Sequence, residues 1–494
     1  MTWIPRKIFT KIIEDKSILL IFAIVFVIYI LSSFDVCWFF GGENNIGINS
    51  GFVFGSSWNE HLHSSEGWSI YYQVQALTEG RVWLSQGAPP TIGVDFFRIG
   101  EYYYSPFEPL TAIMLVPFYA LGNAFLSVEY LIRSVILGMI FYTSISAILV
   151  WKISLQLKQS KFLANVAALV FAFATMALSY SRLLYPQPIF TMMTLATLLF
   201  LFHYMKKKNL RNLLFFSLFF GLTVNTFNVF VIATPFILYF LVRVGSFTKR
   251  ENLLTIGAGL IPGILLFLSW NFLITGNPLM TARQVEYPSM NFEFLYLNAG
   301  GVWLNIEGIV GSLVSPVGIF FVSPILLASF FGFSSLNRRA KDETTLLVLL
   351  IVIFWIFISL ANLGGATGRD FWIGGWANIA RYMYLSSSLL VFFAMEGIEK
   401  IWKSKNLLGI WIILLATLLS ILVNFAYGVR HDFMVAHLTD FPSNSLIIWP
   451  YPLESSQLAI FSIIIISFST SYPLYLIINR FRNNKVIYDL SDCV

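Results

Sequence analysis

The chain has 494 residues, of which 57% are hydrophobic and only 11% charged, where an ordinary soluble domain carries about 25%. Forty-nine Phe and a mean hydropathy of +0.76 exclude a soluble enzyme, a disordered protein, a coiled coil and a disulfide scaffold. This much apolar surface exceeds what one globular core hides, so most of it must face lipid, and the net charge of +6 is informative by placement rather than as a sign of nucleic-acid binding.

A backbone crossing lipid must satisfy its own hydrogen bonds, so each apolar run of about 20 residues predicts a helix. The first, Ser17–Phe34, is too long for a signal-peptide core and no small-x-small cleavage site follows it, which predicts a retained span. Polar sequence follows, and then the runs Tyr130–Leu155, Phe162–Ser181, Pro188–Met205, Leu210–Val244, Leu253–Trp270, Val317–Phe333, Thr345–Ala361, Tyr382–Met395, Leu407–Ala426 and Leu458–Ile478. Basic clusters flank Leu210–Val244 on both sides (Lys206 to Arg211, then Arg243, Lys249 and Arg250), so an even number of crossings must separate them. That splits the run near Asn225 and Asn228 and gives about twelve transmembrane helices in one integral membrane domain, residues 1–494.

With both termini cytoplasmic, about three quarters of the 31 Lys and Arg fall inside and about two thirds of the 25 Asp and Glu fall outside. Cys37 and Cys493 then lie on opposite sides, so no intramolecular disulfide is expected. The inner connections are short and basic. The outer ones are long: residues 35–123 form a first extracytoplasmic loop with juxtamembrane helices, and 271–316, 362–381 and 428–456 form three more. Pro109–Asn123 is apolar but short and would upset the charge parity if it spanned, which predicts an interfacial helix.

The first loop holds Glu43, Glu60, Glu66, Glu79, Asp95, Glu101 and Glu108. A partly buried carboxylate at a membrane surface can deprotonate a hydroxyl. Glu66 opens EGWSIYYQVQALTEGR, where Tyr71, Val74 and Leu77 recur at helical spacing, and the positive helix end favours its ionised form. Glu60-His61-Leu62-His63 is a candidate pair for a divalent metal, but an H-x-H pair without a third ligand defines no site; no other cofactor is implied. The outer arginines are few: Arg182, Arg283, Arg369 and Arg381. A guanidinium fork suits phosphate oxygens. Competing readings are a solvated or N-capping acid for each carboxylate and a headgroup-snorkelling side chain for each arginine.

Four stretches together resemble the GT-C superfamily of polytopic membrane glycosyltransferases, especially its protein O-mannosyltransferase and aminoarabinose-transferase-like branch. These are EGWSIYYQVQALTEGR, EYYYSPFEPLTAIMLVPFYALG, GSLVSPVGIFFVSPILL and IGGWANIARYMYL, in that order. The resemblance implies an all-α polytopic fold with interfacial helices in a large first outer loop. It also implies transfer of a sugar from a polyprenyl-phosphate carrier to an acceptor glycan, lipid or protein at the outer face. Carried onto this chain, it places the general base on Glu66, with Glu101 and Glu108 beside the tyrosine-rich segment. The donor phosphate falls to Arg381, Arg182, Arg283 and Tyr382. Glu66 stands where the group more often has Asp, Leu110 where it often has Gly, and Gln187 near where many relatives carry His.

The chemistry agrees with the residues. A lipid-phosphate sugar carries its own leaving group, and no phosphate-cradling Gly-rich loop occurs in a strand–turn–helix setting. The alternative, a transporter or lipid-linked sugar flippase, predicts ionisable residues in mid-span and an internal repeat. His203 and Arg133 instead lie near span ends, and the two halves show no repeat.

Overall fold

A computed structural model describes residues 16–33, 65–84, 97–126, 131–286, 310, 312–314, 318–359 and 381–429. The elements are mostly helical: α1 (Lys16–Ser33), α2 (Ser65–Thr78), α3 (Pro109–Phe125), α4 (Leu131–Gln156), α5 (Lys161–Ala174), α6 (Met176–Tyr180), α7 (Gln187–Lys207), α8 (Leu210–Val224), α9 (Thr234–Arg243), α10 (Arg250–Thr275), α11 (Ala282–Glu286), α12 (Ile319–Val322), α13 (Ser329–Arg339), α14 (Lys341–Ser359), α15 (Tyr384–Lys403) and α16 (Leu407–Val429). The expected last span, Leu458–Ile478, lies outside the described residues, as do Cys37, His61, His63, Arg369 and Cys493.

By length and composition four of these helices can cross a membrane: α4, α7, α10 and α16 through Phe425. Several runs read as single spans are instead broken. Phe162–Ser181 divides at Thr175, whose hydroxyl bonds Phe171 O at 2.6 Å and caps Ala177 N. Val317–Phe333 bends by 103° about Ser323, where Pro324 withholds a donor. The carbonyl of Val322 and the N–H of Ile325 take partners from α16 instead: Asn424 Nδ2 donates to Val322 O at 2.8 Å and Ser420 Oγ accepts from Ile325 N at 3.0 Å.

The run Leu210–Val244 is a hairpin, as its flanking charges require. Helix α8 ends at Asn225, a 3₁₀ turn covers Asn228–Ala233, and α9 returns. Lys208 Nζ then reaches Val244 O at 2.9 Å, so the start of α8 and the end of α9 lie together. The same end of the bundle gathers Arg243 with Asp342 (3.0 Å), Lys206 with Glu343 (3.5 Å), and Arg339 with Glu396 and Glu399 (3.0 and 3.2 Å).

Glu396 is fully buried and Arg339 is its ion-pair partner. Arg339→Met is expected to destabilise by about 3 kcal/mol, the low end for orphaning a buried charge because Arg339 is partly exposed. The double variant Arg339→Met/Glu396→Leu should recover most of that loss, read as the melting temperature in detergent. The Glu399 carboxyl is partly desolvated, which opposes ionisation, but Lys403 and Arg339 outweigh this and hold it below the usual carboxylate range. Its contribution to stability is therefore present above the unfolded-state pKa and fades as pH falls through the folded one.

Helices α13 and α15 approach through glycines. A Cβ on Gly332 would stand 1.9 Å from Phe393 O, and one on Gly397 1.9 Å from Ala328 O. In lipid, such small residues let backbones meet where no hydrophobic effect drives helices together. Gly332→Val should destabilise by about 3 kcal/mol, at the upper end of overpacking because the obstacle is backbone, and should show a lower melting temperature in detergent. At the periphery, only 17% of the α10 apolar window and 11% of the α16 window are buried within the protein, which leaves their outer faces for lipid.

The all-helical expectation fails in the first loop. Phe97–Ile99 and Tyr102–Tyr104 form an antiparallel hairpin, β1–β2, with Arg98 opposite Tyr103 and Leu84 bridged to Tyr103. Three consecutive tyrosines favour extended backbone, and Gly100 turns the chain at φ +62°.

Candidate active site

Away from the ion pairs, the described chain brings together some of the residues that the sequence singled out. Glu66 lies in the first turn of α2. One turn on, Ser69 Oγ donates to Ser105 Oγ at 2.8 Å, and Gln73 Nε2 reaches Phe107 O at 3.3 Å. These bonds lash α2 to the segment leading into Glu108, the residue before α3. Tyr71 packs on Tyr119 of α3 at 5.9 Å; burial, then the neighbouring Tyr119, pushes its phenol pKa well up. The structure thus brings the Glu66 helix and Glu108 to one place. Glu101 is elsewhere, exposed at the turn of the β-hairpin.

Helix α3 is seated on the α8–α9 break. Leu110 N donates to Asn225 O at 3.1 Å, and Asn225 Nδ2 holds Gly221 O and Gly263 O. Two residues on, Phe227 stacks on Tyr382 at 5.9 Å. Tyr382 and Tyr185 flank Arg381, whose guanidinium lies 5.1 and 5.2 Å from their ring centres. A run of rings leads inward: Tyr185 to Tyr180 at 5.6 Å, then Tyr180 to Tyr384 at 5.7 Å.

Arg182 lies just beyond α6 and is 1% exposed. One guanidinium nitrogen donates to Ser32 O at the carboxyl end of α1, where a cation is favoured. The ring of Phe425 lies 5.9 Å away. Its Nε and the second Nη have no hydrogen-bond partner, and no carboxylate pairs with it among the described residues. Tyr29, whose hydroxyl donates to Ala172 O at 2.7 Å, lies in the neighbourhood of both Arg182 and Tyr384. Two arginines about 200 positions apart in sequence are therefore gathered into one tyrosine-rich region. Arg283 lies on the short helix α11, whose neighbours Ala282 and Val285 pack with Phe97 and Tyr104 of the hairpin.

Sequence reasoning missed Tyr384 and Thr191 and treated Gln187 only as a departure from relatives. All three are buried with polar side-chain atoms that lack a hydrogen-bond partner among the described residues. The signal was faint: Tyr384 closes the Arg-Tyr-x-Tyr of the last quoted motif, and Gln187 sits between two prolines. Among the described residues no group of three His, Cys, Asp or Glu converges to hold a metal ion.

No known protein family matches the chain, and no curated protein does. Among solved structures, the archaeal oligosaccharyltransferase AglB from Archaeoglobus fulgidus, in complex with an inhibitory peptide and a dolichol-phosphate, aligns with TM-score 0.52 and 11% identity, over 89% of this chain and 62% of AglB. Its apo form aligns with TM-score 0.49 and 12% identity, over 89% and 62%. ArnT from Cupriavidus metallidurans in the apo state aligns with TM-score 0.47 and 13% identity, over 71% and 58%. The chain spans less than two thirds of the length of each of these proteins. What the alignment to AglB establishes is architecture alone: the chain shares the fold of that protein's aligned part.

Proposed function

We propose that the protein is an inverting glycosyltransferase that moves a sugar from a polyprenyl-phosphate carrier to an acceptor hydroxyl at the outer face of a cell membrane. The observation that carries this reading is Arg182. A buried guanidinium with two unused donor nitrogens and no acidic partner among the described residues is costly, unless an anion completes it. A carrier phosphate supplies that anion, and Arg381 between its tyrosines supplies a second cation for the charge that grows as the phosphate departs. Arg283 and Tyr382 complete the donor set in this reading.

Glu66 is the base. It takes the proton from the acceptor hydroxyl as that oxygen attacks the anomeric carbon. The bond from that carbon to the phosphate oxygen breaks on the opposite face, and the polyprenyl phosphate leaves with the electron pair. One displacement inverts the centre. Glu108 lies beside the same helix and tunes the local field, while Glu101 is exposed at the hairpin turn and takes no part in the proton transfer. The basic bundle end faces the cytoplasm, and both termini lie there.

Purified protein reconstituted in nanodiscs and given radiolabelled polyprenyl-phosphate hexose and pentose tests the reading. Label transferred to an acceptor glycan, lipid or peptide supports it. In sealed vesicles, carrier that crosses the bilayer with its sugar intact and untransferred overturns it in favour of a flippase.

A further inference from the structure

The interior beside the two arginines has polar groups that neither the helices nor each other satisfy. Among the described residues Gln187, 3% exposed, has no hydrogen-bond partner for either its amide oxygen or its amide nitrogen. Thr191, fully buried, leaves its hydroxyl unpaired, whereas Thr194 and Thr197 on the same helix donate to carbonyls four residues back. Tyr384, 1% exposed, leaves its phenol unpaired as well. Buried polar groups in native proteins are nearly all satisfied, so three such side chains in one region call for an explanation.

They belong to one region by packing. Gln187 and Thr191 are one turn apart and share a face of α7. Helix α7 packs against α15, which begins at Tyr384. Gln187 follows Tyr185 by two residues, and the Arg381 guanidinium lies over the Tyr185 ring. The ring of Tyr384 meets that of Tyr180, which in turn meets Tyr185.

The chemistry of the set is specific. An amide offers donors and an acceptor, and each hydroxyl offers both. That is what sugar hydroxyls require, and it is poor for a fixed charge. Glu66 and Glu108, which the transferase reading assigns to the acceptor side, lie on α2 and just before α3 rather than on α7 or α15, and among the described residues the buried carboxylates are Glu343 and Glu396. Both are remote: Glu396 is twelve residues along α15 from Tyr384, about 18 Å of helix, and Glu343 pairs with Lys206 at the far end of α7. We infer that Gln187, Thr191 and Tyr384 form a subsite for the hydroxyls of an uncharged sugar, next to the phosphate-binding arginines. This rests on the transferase reading above and adds the class of sugar.

The test compares three probes in nanodiscs: bare polyprenyl monophosphate, the same carrier bearing a neutral hexose, and the same carrier bearing an aminosugar. The neutral hexose is expected to tighten binding about tenfold over the bare carrier, the aggregate of three modest hydrogen-bonding groups. Gln187→Met and Thr191→Val should abolish that gain while bare-carrier affinity stays within about twofold. Because each replaces a group unsatisfied in the unliganded protein by an apolar one of similar shape, their unliganded melting temperatures should rise by about 1–3 °C. A purely structural role predicts a fall instead and overturns the inference. Tyr384→Phe, which removes one oxygen and keeps the ring, guards against misfolding and should lose part of the gain. If the sugar adds nothing to binding, if the variants keep the gain, or if the aminosugar binds as tightly as the hexose, the subsite is overturned and the transferase reading stands. If neither the bare nor the loaded carrier binds, the transferase reading itself falls and the subsite with it.

Discussion

Glu66→Gln is expected to reduce sugar transfer by about 10²–10⁴-fold, the usual contribution of a general base, with carrier affinity unchanged. Glutamine keeps the volume and can still accept a hydrogen bond from the acceptor hydroxyl, but it cannot take the proton. The acidic limb of the pH–rate profile, which reports the base, should flatten in the variant. Position makes this loss specific. Glu66 begins a helix tied to the Ser105–Phe107 segment by Ser69 and Gln73, so α2 is held against the bundle end. Glu108→Gln, next to the same helix, should cost less. Glu101→Gln, at an exposed hairpin turn, should leave the rate constant for the chemical step intact. Full activity in Glu66→Gln would reassign the base.

The second large effect concerns Arg182→Met, in which activity and stability should part company. Loss of one charge-stabilising donor in a water-poor site lowers transfer by about 10²–10³-fold. The unliganded protein should be no less stable, because the variant removes a buried charge whose contacts among the described residues are one carbonyl and the face of Phe425. Bare polyprenyl phosphate, which should raise the melting temperature of the parent by mass action, should no longer do so in the variant. A strongly lowered melting temperature together with intact carrier binding would make Arg182 a structural cap for α1.

Much of the architecture could be read from charge. Lys206, Arg243 and Arg339 flank apolar runs in the sequence, and in the fold they gather at one bundle end with Asp342, Glu343 and Glu396. The hairpin at Asn225 followed from the same parity. Breaks inside runs were not legible. Thr175 and Ser323 interrupt apolar stretches without changing hydropathy, and what stabilises them comes from hydroxyls and amides supplied locally or by a distant helix. The β-hairpin was hidden by a motif read for its tyrosines rather than for their preference for extended backbone. In the site, single residues were legible and their neighbours were not. Arg381 stood out as one of few outer arginines, but its distance of 5.2 Å from Tyr185 is set by packing of segments far apart in the chain. Gln187 and Tyr384 are ordinary letters until the fold buries them with polar atoms that find no hydrogen-bond partner among the described residues.

The bend at Ser323–Pro324 has a consequence for the order in which the chain is made. Its exposed backbone groups are satisfied by Ser420 and Asn424, about 100 residues later in synthesis. Until α16 enters the bilayer, the segment must stay near the translocation machinery or water, since lipid offers no substitute partner. The bend therefore waits on α16, whose Ser420 and Asn424 staple it from a helix made later.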